Sequence, residues 1–177
     1  SPKTFGYSVN EGDSVMIQGR IGQFQGLVQM DQLDTVILLA SGKALKKPTL
    51  VTQLGESTES NMVVMRRMKL VDAAEWPSTA LSANGFKSVR MVGTTGRVDT
   101  LNIDAETNID GNPAPDGYFD VVGIGGQFDA SNPFTSRYVL SPRYMSDITV
   151  STLPVVSFTQ TTDSLFEPAD SFRMDFK

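Results

Sequence analysis

The sequence predicts an all-β protein organised around a small closed barrel, and three observations carry that expectation. Short runs of alternating apolar and polar residues recur at close spacing, about eight of them, separated by turn residues. Almost no stretch keeps the 3.6-residue period of an amphipathic helix. One glycine-interrupted strand pattern also occurs twice, first as Gly12-Asp13-Ser14-Val15-Met16-Ile17-Gln18-Gly19-Arg20-Ile21-Gly22-Gln23-Phe24 and again over Gly117 to Phe128. Setting Val15 on Phe119 places Ile17 on Val121, Gly19 on Gly123, Gln23 on Gln127 and Phe24 on Phe128. Glycine partway along an alternating run lets a strand coil at a barrel corner.

Residues 1 to 12 are rich in turn formers, and the first strand runs from Ser14 to Phe24. Gln25-Gly26 makes a two-residue hairpin link into Leu27 to Gln32. Thr35-Val36-Ile37-Leu38-Leu39 continues as a β-branched, buried strand. Ser41 to Pro48 is a lysine-bearing loop, and Thr49 to Leu54 reads as a helical turn between Pro48 and Gly55. After the polar link Glu56 to Ser60, Met62 to Val71 forms a long strand with both faces mixed: Val64, Arg66, Met68 and Leu70 on one, Val63, Met65, Arg67, Lys69 and Val71 on the other.

Trp76-Pro77 ends that segment. Phe86 to Val92 and Arg97 to Ile103 flank a Gly93-Thr94-Thr95-Gly96 turn as a hairpin. A long acidic loop, stiffened by Pro113 and Pro115, precedes the second copy of the glycine-bent strand. Arg137 to Leu140 adds a strand and Pro142 to Ile148 a helical turn. Residues 151–177 change character: Val155 to Phe158 and Phe172 to Phe176 alternate around a turn-rich centre, as a C-terminal extension or the start of a second module.

Composition removes several classes of chemistry. With no Cys there are no disulfides, thiolate nucleophiles or cysteine zinc sites. With no His, the usual general base and the common serine triad are missing as well. No apolar run approaches the ~18 residues of a membrane helix. The net charge of −5 argues mildly against a broad phosphate-binding footprint. No carboxylate pair among Glu75, Asp116, Asp120 and Asp129 has a spacing that fixes acid–base geometry, and Gly123-x-Gly125-Gly126 lacks the Lys-Ser/Thr of a phosphate loop. The expectation is a domain without enzymatic activity.

Several motifs in fixed order look familiar: Val-x-Ile-x-Gly-x-Ile-x-Gln-Phe-x-Gly-Leu-x-Gln from Val15 to Gln29, Glu56-Ser57-x-Glu59-Ser60 leading to Trp76-Pro77, Asn108-Ile109-Asp110-Gly111 with Pro113 and Pro115, Gly123-Ile124-x-Gly126-Gln127-Phe128-Asp129, and Leu140-Ser141-Pro142-Arg143 before Asp147-Ile148. Over about residues 10 to 150 the chain resembles an OB-like domain of secreted multidomain Bacteroidetes-type proteins, often found beside lamin-tail, nuclease or Calx-beta-like modules. That resemblance implies an OB-like Greek-key barrel over residues 1–150, and residues 151–177, with Glu167, resemble the opening of a Calx-beta-like sandwich. It further implies an accessory module of a larger secreted or cell-surface protein, in contact with neighbouring domains of the same chain. A barrel has few free edges, so a monomer is expected.

Two motifs carry binding expectations, each beside a plainer reading. Arg66, Arg67, Lys69, Lys87, Arg90 and Arg97 lie on three strands that are neighbours in such a barrel, with Trp76, Phe86 and Tyr138 as candidate stacking faces. Basic strands with aromatics are how OB barrels grip single-stranded nucleic acid, and a glycan is the other short oligomer that fits. The plainer reading is a solvated sheet face over core aromatics. In the acidic loop, Glu106, Asn108 and Asp110 followed by Gly111 have the alternate spacing of Ca²⁺ ligands, although Gly117 stands where the twelfth-position Glu belongs. The plainer reading is a loop whose Asp and Asn side chains cap turns. A structural spacer is the alternative to a binding module.

Overall fold

The computed structural model describes residues 7–151. In chain order the strands are β1 (Ser14–Phe24), β2 (Leu27–Ala40), β3 (Thr49–Leu50), β4 (Met62–Leu70), β5 (Phe86–Val92), β6 (Val98–Asp104), β7 (Phe119–Gln127), β8 (Tyr138–Ser141) and β9 (Ile148–Val150). Helical structure among the described residues is confined to 3-10 turns at Glu56–Thr58, Ala73–Glu75 and Met145–Asp147. The segments expected over Val155–Phe158 and Phe172–Phe176, and Glu167 with them, lie outside the described residues.

Five strands close on themselves in the order β4-β5-β6-β8-β7-β4. Neighbours are antiparallel except β6 and β8, which run parallel with Thr100 beside Val139 and Leu101 beside Leu140. This is the closed Greek-key circuit of an OB-like barrel. Two short strands extend it: β3 pairs in parallel with the start of β4, and β9 pairs with the start of β7. At Gly125 of β7 an added Cβ would run into the Thr58 carbonyl.

The interior is filled by alternate residues of each strand. Val63, Met65, Met68 and Leu70 of β4 meet Val89 and Met91 of β5, Leu101 and Ile103 of β6, Phe119 and Val121 of β7 and Leu140 of β8. The step from Met65 to Met68 breaks strict alternation. A bulge at Arg66 and Arg67 shifts the β4–β7 register there, Arg67 adopts φ 55°, and its N–H donates to Asp120 Oδ1 at 2.9 Å. The bulge puts 63 and 65, then 68 and 70, on one face, which resolves the mixed faces of the sequence.

One end of the barrel is closed by loops. Ile109 of the 105–118 segment and Trp76 are both buried in the core. Trp76 Nε1 donates to the Asn112 carbonyl at 2.9 Å, the Gly111 N–H to the Pro77 carbonyl at 2.8 Å, and the Leu81 N–H to Asp110 Oδ2 at 2.6 Å. Two loops are thereby laced across the opening.

Two expectations about the early chain are corrected. Thr49 to Leu54 is not a helical turn: Thr49–Leu50 is β3, because extended backbone here gains ladder bonds from β4. The opening glycine-bent strand does not enter the barrel. Among the described residues β1 pairs only with β2, as a separate two-stranded ribbon, and Ile37, Leu38 and Leu39 of the segment expected to be buried are exposed. Alternation in a sequence specifies a strand and an apolar face, not the sheet that covers that face.

The ribbon is tied to the barrel at both ends. At its tip, Gln25 and Gly26 take positive φ values of 51° and 91°, and the Gln25 carbonyl accepts the Asp129 N–H at 2.7 Å. Glu59 Oε1 accepts the Val28 N–H at 2.9 Å. Near its base, Arg143 Nη1 donates to Glu11 Oε1 at 3.0 Å.

Candidate binding site

The loop joining β7 to β8 is held in shape from inside. Gln127 is buried, and its Nε2 donates to the carbonyls of Phe134 and Ser136 at 2.8 and 2.9 Å. Asp129 caps the same loop: Oδ2 accepts the Ser136 hydroxyl at 2.7 Å and its N–H at 3.0 Å, while Oδ1 accepts the N–H and hydroxyl of Ser131, both at 3.1 Å. These donors, the Ser136 hydroxyl first, hold the Asp129 carboxyl down to about 2. A loop braced in this way presents fixed backbone and side chains to whatever meets it.

Beside it opens a groove of about 500 Å³, bordered by Arg97, Asp99 and Thr100 of the β5–β6 turn and β6, and by Ser136, Arg137 and Tyr138 of the braced loop and β8. The face of an OB barrel that takes oligonucleotides and oligosaccharides is its second and third strands with the loop between strands four and five. In the present circuit these are β5, β6 and the β7–β8 loop; the groove is bordered by the start of β6 and by that loop, with no residue of β5.

Its chemistry is mixed. Arg97 Nε lies 3.4 Å from Asp99 Oδ1, and its other nitrogens reach the Leu54 carbonyl at 3.3 Å and Gln53 Oε1 at 3.4 Å. Asp99 is buried; Oδ1 also accepts the Leu54 N–H at 3.4 Å, but Oδ2 has no protein donor. Tyr138 is half-buried and donates to Glu56 Oε2 at 2.9 Å. Burial, then that hydrogen bond, raise its phenol above the ordinary value. The groove thus combines an aromatic ring, two guanidinium groups and hydroxyls above the buried Asp99 carboxylate.

The basic residues expected to share one face are dispersed. Arg97 and Tyr138 border the groove. Arg66 and Arg67 stand at the β4 bulge over a smaller pocket of about 240 Å³, floored by Leu50, Val51, Met65 and Met68 and flanked by Thr94 and Thr95. Arg66 Nε lies 3.8 Å from Asp120 Oδ2. Arg90 is paired with Glu75, Nη2 to Oε1 at 2.5 Å, which lowers the Glu75 carboxyl. Lys69 is exposed on β4 opposite Val92, and Lys87 lies beside Trp76 at the laced end.

Trp76 is corrected from a stacking face to a core residue, since its ring is buried and its N–H spent. Phe86 is exposed and stacks on Phe128 with centroids 5.6 Å apart.

The acidic loop does not assemble as a calcium site. Asp110 accepts from the Leu81 N–H, Asn108 Oδ1 accepts the Met145 N–H at 2.8 Å, and no cluster of three acidic side chains forms among the described residues. These two groups act as struts to segments distant in sequence and not as caps of their own turns. Sequence reasoning missed Asp99, Ser136 and Arg137. The only available signal was their position beside Arg97 and Tyr138, because the approach of the β7–β8 loop to β6 is a property of the closed circuit.

Compared with known protein families, curated proteins and solved structures, the chain matches none.

Proposed function

We propose that the domain is a non-catalytic binding module that holds a short glycan in the groove between β6 and the β7–β8 loop. The observation that carries this reading is the braced groove itself, where the Tyr138 ring stands beside the Arg97 and Arg137 guanidinium groups. Arg97 and Arg137 offer donors to ring and hydroxyl oxygens, and the Tyr138 ring offers an apolar face. The negative charge of buried Asp99 beside the groove disfavours phosphate, which sets single-stranded nucleic acid behind a glycan. A place in a longer secreted or cell-surface protein is part of the same proposal.

The test pairs an oligosaccharide panel followed by NMR shifts with anisotropy of a labelled mixed-sequence single strand at low and high salt. Expected are saturable shifts at Thr100, Ser136 and Tyr138, at least tenfold weaker binding (about 1.4 kcal/mol) in Arg137→Ala and Tyr138→Ala, and flat anisotropy. Strand binding that collapses with salt, the mark of counterion release, would replace the glycan by nucleic acid. Silence in both assays would leave the structural-spacer reading, which the pairing of Arg90 with Glu75 and a β1–β2 ribbon uncovered among the described residues favour.

A further inference from the structure

The glycine-bent pattern stands in two environments in one molecule. In its second copy, β7, the alternate residues Phe119 and Val121 are fully buried. They are covered because β7 and its hairpin partner β8 have a strand on each outer side: β4 on β7, β6 on β8. In the first copy, β1, the matching Ile17 is 47% exposed, although β1 and β2 form the same kind of antiparallel hairpin.

The ribbon registers Val15 with Leu38, Ile17 with Val36 and Ile21 with Met30, so one face is apolar along its length. Through the repeat, Met30 (39% exposed) takes the place of Leu140, which is fully buried in the barrel. Both outer edges of the ribbon are unpaired among the described residues. Among the described residues the hairpin therefore lacks a strand on each edge and a core on one face, which are the three things that β4, β5 and β6 supply to β7 and β8.

We propose that β1–β2 is the closing hairpin of a second OB-like barrel, completed by a three-stranded meander equivalent to β4–β5–β6 that stands ahead of β1 in the same polypeptide. The chain order of the barrel, meander first and hairpin second, sets that direction. A second copy of this chain is not the occupant, because its own β4, β5 and β6 are already closed in its own barrel. The bonds from Gln25 to Asp129, Val28 to Glu59 and Glu11 to Arg143 are then contacts between consecutive barrels in a tandem array. Long unpaired edges and a continuous apolar face are what an isolated hairpin cannot keep in water.

Hydrogen exchange tests this on the 177-residue chain and on a chain extended at its N-terminus by the ~70 residues the proposal requires, about the length from β3 to the start of β7. In the 177-residue chain the ribbon amides are expected to exchange about 100-fold faster than those of β7 and β8, and in the extended protein at rates like theirs, as one cooperative unit. Ile17→Asp is expected to abolish that gained protection while leaving β4–β8 unchanged. Three outcomes would each overturn the proposal: ribbon exchange unaltered by the extension, ribbon protection already complete in the 177-residue chain, whether set by its concentration or by its own residues 152–177, or a gene product with no alternating strands ahead of β1.

Discussion

At the base of the β7–β8 loop the Asp129 carboxylate accepts four hydrogen bonds, and its proton affinity reports them. A folded-state value of about 2 against an ordinary 3.8 means that ionised Asp129 stabilises the fold. That contribution is complete above about pH 4 and disappears as the pH falls towards 2. Asp129→Asn is expected to lower the melting temperature at pH 7, with the gap from the parent protein closing as pH drops through that window. Thermal melts by circular dichroism across pH 2–7 measure it, and a constant gap would show that the shifted carboxyl contributes nothing. The same bonds hold Ser136 at the edge of the groove, so the variant should also loosen whatever binds there.

Arg67 shows how one residue sets the reading of a whole strand. Its φ of 55° is permissive for glycine and strained for a branched side chain. Arg67→Gly is expected to fold as well as the parent, whereas Arg67→Val should cost roughly 1–2 kcal/mol in chemical denaturation. Equal losses in the two would mean that the bulge is not the constraint. Because the bulge inserts one residue, the apolar phase of β4 slips by one at its middle, and the sequence there reads as mixed on both faces.

Elsewhere the elements were legible. The hairpin of β5 and β6 with its Gly93–Gly96 turn, the Gln25-Gly26 link and the glycine-bent β7 lie where alternation and turn residues put them. What alternation does not encode is partnership. It gave no sign that β1 would miss the barrel, that Arg90 would turn to Glu75, or that Asp99 and Arg137 would meet across one groove, since each depends on strands distant in sequence coming side by side.

Across the whole molecule, the contact that makes a barrel out of a sheet is the seam between β4 and β7, where Met62 lies beside Ile124 and Val63 beside Gly123. Joining residues so far apart carries a loop-closure cost that local hairpins do not. Val63→Ala in the seam is expected mainly to speed unfolding, and Val89→Ala in the β5–β6 hairpin mainly to slow refolding, in stopped-flow chevrons. The reverse assignment would place closure before hairpin formation.

The seam also fixes an order of events during synthesis. β4 emerges from the ribosome some 60 residues ahead of its partner, and at about 5–20 residues per second it waits roughly 3 to 12 s for β7. Through that interval Val63 and Met65, later among the most deeply enclosed side chains of the barrel, face water on a strand with an open edge. The nascent chain is therefore at its most adhesive after β6 is made and before β7 arrives, and chaperone protection matters most within that window.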